Sequence, residues 1–443
     1  MAIPEAAYQM LTGDDEGRVC RDIPESACNH QPGNFLRHVV SLSATKTGDG
    51  LADPKLVLSW LLVTLGAPAG LVGLLVPIRE AGALVPQLLT AGAIRALPRR
   101  KYAWALGSVV QGLAVLGMAA AAVRLEGAAA GWTVLALLLL FALARSVCSV
   151  SYKDVLGKTV SKATRGSATG AASSLSAALV LLFGLLLATG ILEPSVPLIA
   201  AALAVAGALW LLAAAIFVGL AEEAGATEGG RNAADVLGDQ LGLLRTDVQL
   251  RRFIGARALL LATALAPPYV LALAGRDSSN GLGTLGPFVV ASSLAAISSG
   301  YLWGRLADRS SRRVLLAAAL LAAAALGAIS AAGWILGGDA LAGWLMPSLL
   351  FALMVAYQGV RVGRSTHIVD MASEEKRAAY TALSNTAIGV LLLVGGTVGW
   401  LAGRYGEETV LALFAVFCVL AALVAAGLEE VQQEEEATGG GVG

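Results

Sequence analysis

The sequence predicts an all-α integral membrane protein with about twelve transmembrane helices in two pseudo-symmetric six-helix bundles. Three observations predict it. The chain of 443 residues is 57% hydrophobic and only 14% charged, whereas soluble domains carry about 25% charged residues. Its apolar stretches run near the twenty residues that cross a bilayer as helix, rather than the ten-residue alternation of a barrel strand. The mean hydropathy of +0.73 is too high for a soluble core to hide. In lipid the backbone must satisfy its own hydrogen bonds, which leaves helices.

The expected spans are 34–64, 69–96, 102–123, 131–154, 167–190 and 196–219, then 251–274, 284–303, 314–336, 343–368, 379–402 and 409–428. Residues 1–33 are polar and mildly acidic, unlike a cleavable signal peptide, and are expected to form a cytosolic segment. The linker 220–250 opens polar and continues with helical apolar spacing, so an amphipathic helix on the membrane face is expected there. The tail 429–443 is acidic, then glycine-rich, and reads as disordered. The first span is the most polar. Its preferred reading is one long helix through Lys46 and Asp49 rather than a start at Pro54.

Orientation follows from Lys and Arg, which favour the cytosolic side. Of 31 such residues, only Arg124, Arg276 and Arg404 lie in the odd-to-even loops, seven fall deep within spans, and 21 lie on the other side or at the span ends that face it. Both termini are therefore expected in the cytosol, in a composition that suggests a bacterial inner membrane. The halves repeat. "PRR" at 98–100 matches "SRR" at 311–313, and Pro54 matches Pro267 at the same offset. Six spans per half start both halves on one side, which gives parallel repeats about an axis along the membrane normal.

Zero net charge gives no bulk attraction to nucleic acid. Cys20, Cys28 and His30 fit no standard zinc spacing and lack a fourth ligand, so the two cysteines are expected as free thiols. No GxSxG, HExxH or Walker motif is present, which argues against an enzyme and against ATP-driven transport, and no cofactor is expected. A sensor would need a signalling domain that the short N-terminal segment and tail do not offer.

"GRLADRSSRRVLL" at 304–316 resembles the loop signature of the major facilitator superfamily, roughly G-x-L-A-D-R-x-G-R-R-x-x-L. Gly304, Leu306, Ala307, Asp308, Arg309, Arg312, Arg313 and Leu316 match, and Ser311 replaces the second glycine. "GAIRALPRRK" occupies the equivalent loop of the first half and keeps Gly92, Arg99, Arg100 and Lys101 without an aspartate. Arg145 sits where the family often carries an intramembrane arginine. The resemblance implies a secondary transporter that works by alternating access, as a monomer. It implies that Asp308 accepts hydrogen bonds from the start of span five, near Arg165–Ser167, and that Arg309, Arg312 and Arg313, with Arg99 and Arg100, anchor a cytosolic gate on acidic groups or lipid phosphates. Span five lacks the glycine–proline signature of drug–proton antiporters, which weakens a drug-export reading.

Charges inside the bilayer are costly and mark function or pairing. Lys46, Asp49 and Asp53 follow an i, i+3, i+7 pattern that puts them on one helix face, with Lys55 roughly opposite. Arg79 and Glu80 lie in span two, Arg145 in span four, Arg257 in span seven, and Arg361 and Arg364 in span ten. The resemblance places spans one, four, seven and ten around a central cavity. These nine residues with Lys55 are the candidate substrate and coupling path. Cations outnumber carboxylates, which favours a small anionic or zwitterionic solute, with Glu80, Asp49 and Asp53 as candidates for proton coupling. The plainer reading is permanent ion pairs, Lys46 with Asp49 and Arg79 with Glu80 or Asp53. A lipid or amphiphile flippase on the same fold is the alternative function. His367 reads as a surface histidine near a loop, and Trp60, Trp104, Trp132, Trp344 and Trp400 as an interfacial belt. The charge bias has a direct check: alkaline phosphatase fused after Gly443 should stay inactive, because it folds only on the far side of the membrane.

Overall fold

The computed structural model describes residues 3–12, 23, 25–225, 242, 244–275, 285–336, 344–372 and 377–431. A short helix, Ile3–Thr12, precedes the first span. Among the described residues, ten helices are long and apolar enough to cross a membrane. They are spans three (Lys101–Ala122), four (Gly127–Thr159), five (Lys162–Ala188), six (Val196–Val218), seven (Val248–Gly275), eight (Leu285–Arg309), nine (Ser311–Ile335), ten (Leu345–Met371), eleven (Tyr380–Tyr405) and twelve (Glu407–Ala426). Spans one and two are present as broken pieces, Glu25–Leu51 with Val57–Thr64, and Ala69–Gly73 with Leu75–Leu84 and Gln87–Arg95. Counting both, the architecture is the twelve-span one. Most of the amphipathic linker and of the tail lies outside the described residues, as does Cys20.

The breaks have a chemical cause. Proline removes a backbone donor and pushes the residue before it away from helical geometry. Span one stops at Leu51 just before Asp53–Pro54, and span seven breaks before Pro267–Pro268, its counterpart in the repeat. The helical spacing that placed Asp53 on one face with Lys46 and Asp49 therefore ends early. Lys46 and Asp49 share a helix, and Asp53 lies in the break. Span one also begins at Glu25 rather than at residue 34.

Packing reproduces the repeat. In the first half span three packs on four and six, one on five and six, and two on four. In the second half span nine packs on ten and twelve, seven on eleven and twelve, and eight on ten. Each pairing recurs with six added. The halves meet through spans five and eight, two and eleven, and one and seven.

A parallel correspondence closes each bundle at the end that carries "GRLADRSSRR", here called the basic end. Glu222, just after span six, accepts from the backbone N–H of Arg100 (3.0 Å) and Lys101 (2.8 Å) at the start of span three. Glu430, just after span twelve, accepts from Ser310 Oγ (2.7 Å), and Ser310 caps span nine through Arg313 N. Carboxylates at helix N-termini meet exposed N–H groups and the positive end of the dipole.

The halves touch closely at the opposite end. A Cβ on Gly286 would collide with the backbone at Leu187–Ala188, and one on Gly73 would lie 2.8 Å from Gly399 Cα. Small residues let helices approach where no hydrophobic force separates helix from lipid. At the basic end the same helices stand free. Gly166 and Gly170 of span five, and Gly300 and Gly304 of span eight, have no atom near the Cβ position. At these positions the halves are thus in close contact at the end away from the basic turn and make no such contact at the basic end.

Several expectations are corrected by burial. Trp60 and Trp104 are core residues, Trp104 stacked on Phe217 with ring centroids 3.8 Å apart. Trp132, Trp344 and Trp400 are exposed, as an interfacial belt requires. His367 is buried, not a surface residue, and its Nδ1 lies 2.9 Å from Ser311 Oγ. Cys28 is disulfide-bonded rather than a free thiol. The shut end generates a prediction. Gly286→Val should overpack the span five–eight contact and lower the thermal midpoint of the purified protein, at a cost of about 1–3 kcal/mol.

Candidate functional site

The intramembrane charges converge on the interface between the two halves. Asp49 is the first focus. Its Oδ1 accepts from Arg79 Nη2 at 2.9 Å, and its Oδ2 accepts from Arg145 Nη2 at 2.6 Å. One carboxylate thus holds spans one, two and four together. The Arg79 guanidinium also lies over the Phe141 ring, 4.7 Å from its centroid. A planar guanidinium suits both contacts, which a lysine could not make together.

The ion pairs expected from sequence are replaced by others. Lys46 donates to Ser173 Oγ of span five instead of pairing with Asp49. Arg79 turns to Asp49 rather than to Glu80 or Asp53. Helix geometry explains the change for Lys46. A neighbour three residues along competes poorly with two arginines that approach Asp49 from other helices and split its oxygens between them.

Lys55 crosses between the halves. Its Nζ donates to Tyr357 Oη of span ten at 2.9 Å and lies 4.2 Å from the centroid of that ring. Tyr357, Arg361 and Arg364 follow i, i+4, i+7 and share a face of span ten. Arg361 lies 6.0 Å from the centroid of Tyr357 and reaches Gln358 Oε1 at 3.4 Å. Among the described residues, neither Arg361 nor Arg364 has a carboxylate within ion-pair distance. Arg257 of span seven is buried and donates to Ser384 Oγ and, at 3.3 Å, to Asn385 Oδ1 of span eleven.

Glu80 joins these groups electrostatically. Lys55, Arg79, Arg364 and Arg361 all act on it, in that order of strength. Asp53 is acted on by Lys55, Arg79 and Glu80, Lys46 by Asp49, Arg145 and Arg361, and Arg257 by Arg364. All nine candidate cavity residues, with Lys55, therefore belong to one connected field that spans both bundles. Glu80 has no hydrogen bond or ion pair among the described residues. Sequence reasoning missed Tyr357, Ser173, Ser384 and Asn385. The signal for Tyr357 was available, since it lies one helical turn from Arg361 on the same face.

Residues 254–441, the second half with its basic turn, match the family model described as Major Facilitator Superfamily. Solved structures extend the likeness to the whole chain. A point variant of the nucleoside transporter NupG is 14% identical, with a TM-score of 0.69 over 89% of this chain and all of that one. The inward open conformation of the xylose transporter XylE from E. coli is 12% identical, with a TM-score of 0.66 over 91% of this chain and 99% of that one. A POT family transporter in complex with 5-aminolevulinic acid is 11% identical, with a TM-score of 0.64 over 90% and 96%. No curated protein matches the chain. The second half of the chain thus matches the Major Facilitator Superfamily model, and the chain as a whole shares the fold of these solved structures. Its ten long apolar helices mark a multi-pass membrane protein.

The superfamily loop can now be placed. Asp308 and Arg309 are exposed at the open basic end, and Asp308 has no hydrogen bond or ion pair among the described residues. It does not reach span five, because the cleft is open there. Arg312 is held within its own half, 3.2 Å from the Leu428 carbonyl and 3.8 Å from Glu430. Arg313 uses its backbone N–H on Ser310, and its side chain is exposed. In the first half Arg100 pairs with Asp154, and Lys158 lies 2.8 Å from the same carboxylate. Arg99 is exposed. Gly304 borders open space. The loop arginines thus divide. Arg100 and Arg312 tie helix ends together inside each bundle, while Arg99, Arg309 and Arg313 are free for another partner.

The Asp49 clamp predicts a stability effect. Asp49→Asn leaves two neighbouring arginines without their counter-charge. Side-chain exposures of 15–28% put this below a fully buried pair, so the expected loss is about 2–3 kcal/mol, at or under the low end for buried pairs. Thermal unfolding in detergent checks it, and Asp49→Asn combined with Arg145→Gln should recover part of the loss.

Proposed function

We propose that this protein is a secondary active transporter that moves a small anionic or zwitterionic solute by alternating access, with protons as the coupling ion. The observation that carries the reading is the charge count at the interface. Seven cations (Lys46, Lys55, Arg79, Arg145, Arg257, Arg361 and Arg364) meet three carboxylates (Asp49, Asp53 and Glu80) in one field. Uncompensated positive charge in a low-dielectric cleft is expensive, and an entering anion relieves it. Arginine forks suit carboxylate or phosphate oxygens.

The open basic end admits solute from the cytosolic side in the orientation that the lysine and arginine bias favours. Closure of that end would bring Asp308 to the start of span five. Its carboxylate would then accept from the N–H groups there, with Arg309 and Arg313 beside it on acidic groups or lipid phosphates. Opening of the other end would separate Gly73 from Gly399 and Gly286 from Ala188. Lys55 and Tyr357 bridge the halves between these two gates. Glu80 is the preferred proton carrier, because it shares its cations with the solute and has no fixed partner. The protein acts as a monomer within the inner membrane.

The crevice at the basic end of spans five and eight also supports a second reading, entry of an amphiphile sideways from lipid. Gly166, Gly170, Gly300 and Gly304 leave that side unobstructed.

Proteoliposomes separate these readings. A labelled organic anion should accumulate when the lumen is alkaline, and a protonophore should abolish the accumulation. Accumulation that ignores the pH difference would remove proton coupling. Movement of neutral or cationic solutes alone would remove the charge argument, and translocation of labelled lipid alone would favour the flippase.

A further inference from the structure

The cavity charge is divided unequally between the two halves. The first half brings Lys46, Lys55, Arg79 and Arg145 against Asp49, Asp53 and Glu80. It is nearly neutral, and its strongest cations are already committed: Arg79 and Arg145 to Asp49, Lys46 to Ser173, Lys55 to Tyr357. The second half brings Arg257, Arg361 and Arg364 and no carboxylate. Arg257 is satisfied only by neutral side chains, Ser384 and Asn385. Arg361 and Arg364 have no ion pair among the described residues. Their i, i+3 spacing places them about 5–6 Å apart at Cβ on one face, within reach of a single compact anion.

Resting on the transporter reading above, we infer that the second half alone carries the anion-recognition site. Arg361 and Arg364 grip the head group and Arg257 lies behind them. The site takes a compact organic dianion, either a phosphate ester or a dicarboxylate. Three arginines with no carboxylate in their own half favour two negative charges over one, because a monoanion leaves two cations of that half unbalanced. The polar, nearly neutral face of the first half then meets the remainder of the solute. Lys55 adds a link to closure. It sits on Tyr357, one turn from Arg361, so a dianion on Arg361 and Arg364 draws the Lys55 ammonium toward itself and pulls the first half onto the second.

The test uses the full-length protein in detergent and then in proteoliposomes. The probes are glycerol 3-phosphate, succinate, lactate, alanine and glycerol, and the readout is affinity by calorimetry with ligand-dependent shift of the melting midpoint. Glycerol 3-phosphate or succinate should bind at least tenfold more tightly than lactate or alanine, and glycerol should not bind. Arg361→Gln and Arg364→Gln should each weaken the dianion at least tenfold. Arg361→Lys and Arg364→Lys should restore part of that affinity and guard against a folding defect in the Gln variants. Arg124→Gln, in a loop at the shut end, should change nothing. Equal binding of lactate and succinate, or dianion binding that survives both Gln variants, overturns the inference and leaves an anion transporter with its site elsewhere. Binding of alanine with no response to any anion overturns the dianion site and leaves the zwitterionic form of the reading above, whereas binding of glycerol alone overturns that reading itself. No binding of any probe overturns the dianion site, and transport of another solute class then decides the wider reading.

Discussion

Ten ionisable side chains inside the bilayer cannot face hydrocarbon. That constraint organises the molecule. Each charge must find water, a partner or a protein wall, and only the seam between the bundles offers all three. Pro54 breaks the first span, and the polar residues of that span explain why hydropathy alone would miss it. They also explain why spans one, two, four, seven and ten turn the faces they do toward one another. The apolar faces of the same helices are left to lipid, and the sparse burial of span five follows from that arrangement.

Asp49 shows how the constraint is met locally. Two guanidiniums from different helices share one carboxylate, so a polar join replaces the apolar contact that would hold three helices in a soluble protein. The join carries a net positive charge, and the field around it extends through Lys55 and Glu80 to span ten. The second half contributes cations without any compensating acid. The protein therefore holds an electrostatic imbalance across its seam, greater on one face than on the other.

Much of this was legible in the chain. Composition and run length point to the class, the 213-residue offset points to the repeat, and the basic turn at 304–313 carries the resemblance to the family. The intramembrane charges were identifiable residue by residue, because a charge among leucines is conspicuous. Their pairings were not. Helix periodicity ranks neighbours within one helix, and it failed for Lys46 and Asp49 because the winning partners came from spans two, four and five. It failed for Asp53 because Pro54 ends the helix first. His367 looked superficial from its distance to a loop, yet Ser311 and Phe253 arrive from other helices to cover it. Three-dimensional closeness between distant segments leaves no local mark, except where a residue such as Tyr357 repeats the spacing of the charges beside it.

Glu222 and Glu430 lead to a mechanical consequence. Each ties the last helix of its bundle to the start of the third helix, so the bundle is a closed hoop and not a strip with a loose end. A hoop resists shear within itself. In the alternating-access cycle proposed above, rocking of the two bundles would concentrate strain at the seam and put little of it into the bundles. The contacts at Gly73–Gly399 and Gly286–Ala188 then part as a unit, and the unmatched arginines of span ten swing with one rigid arm. The travel of the charged face is set by the length of that arm, not by the flexibility of any single helix.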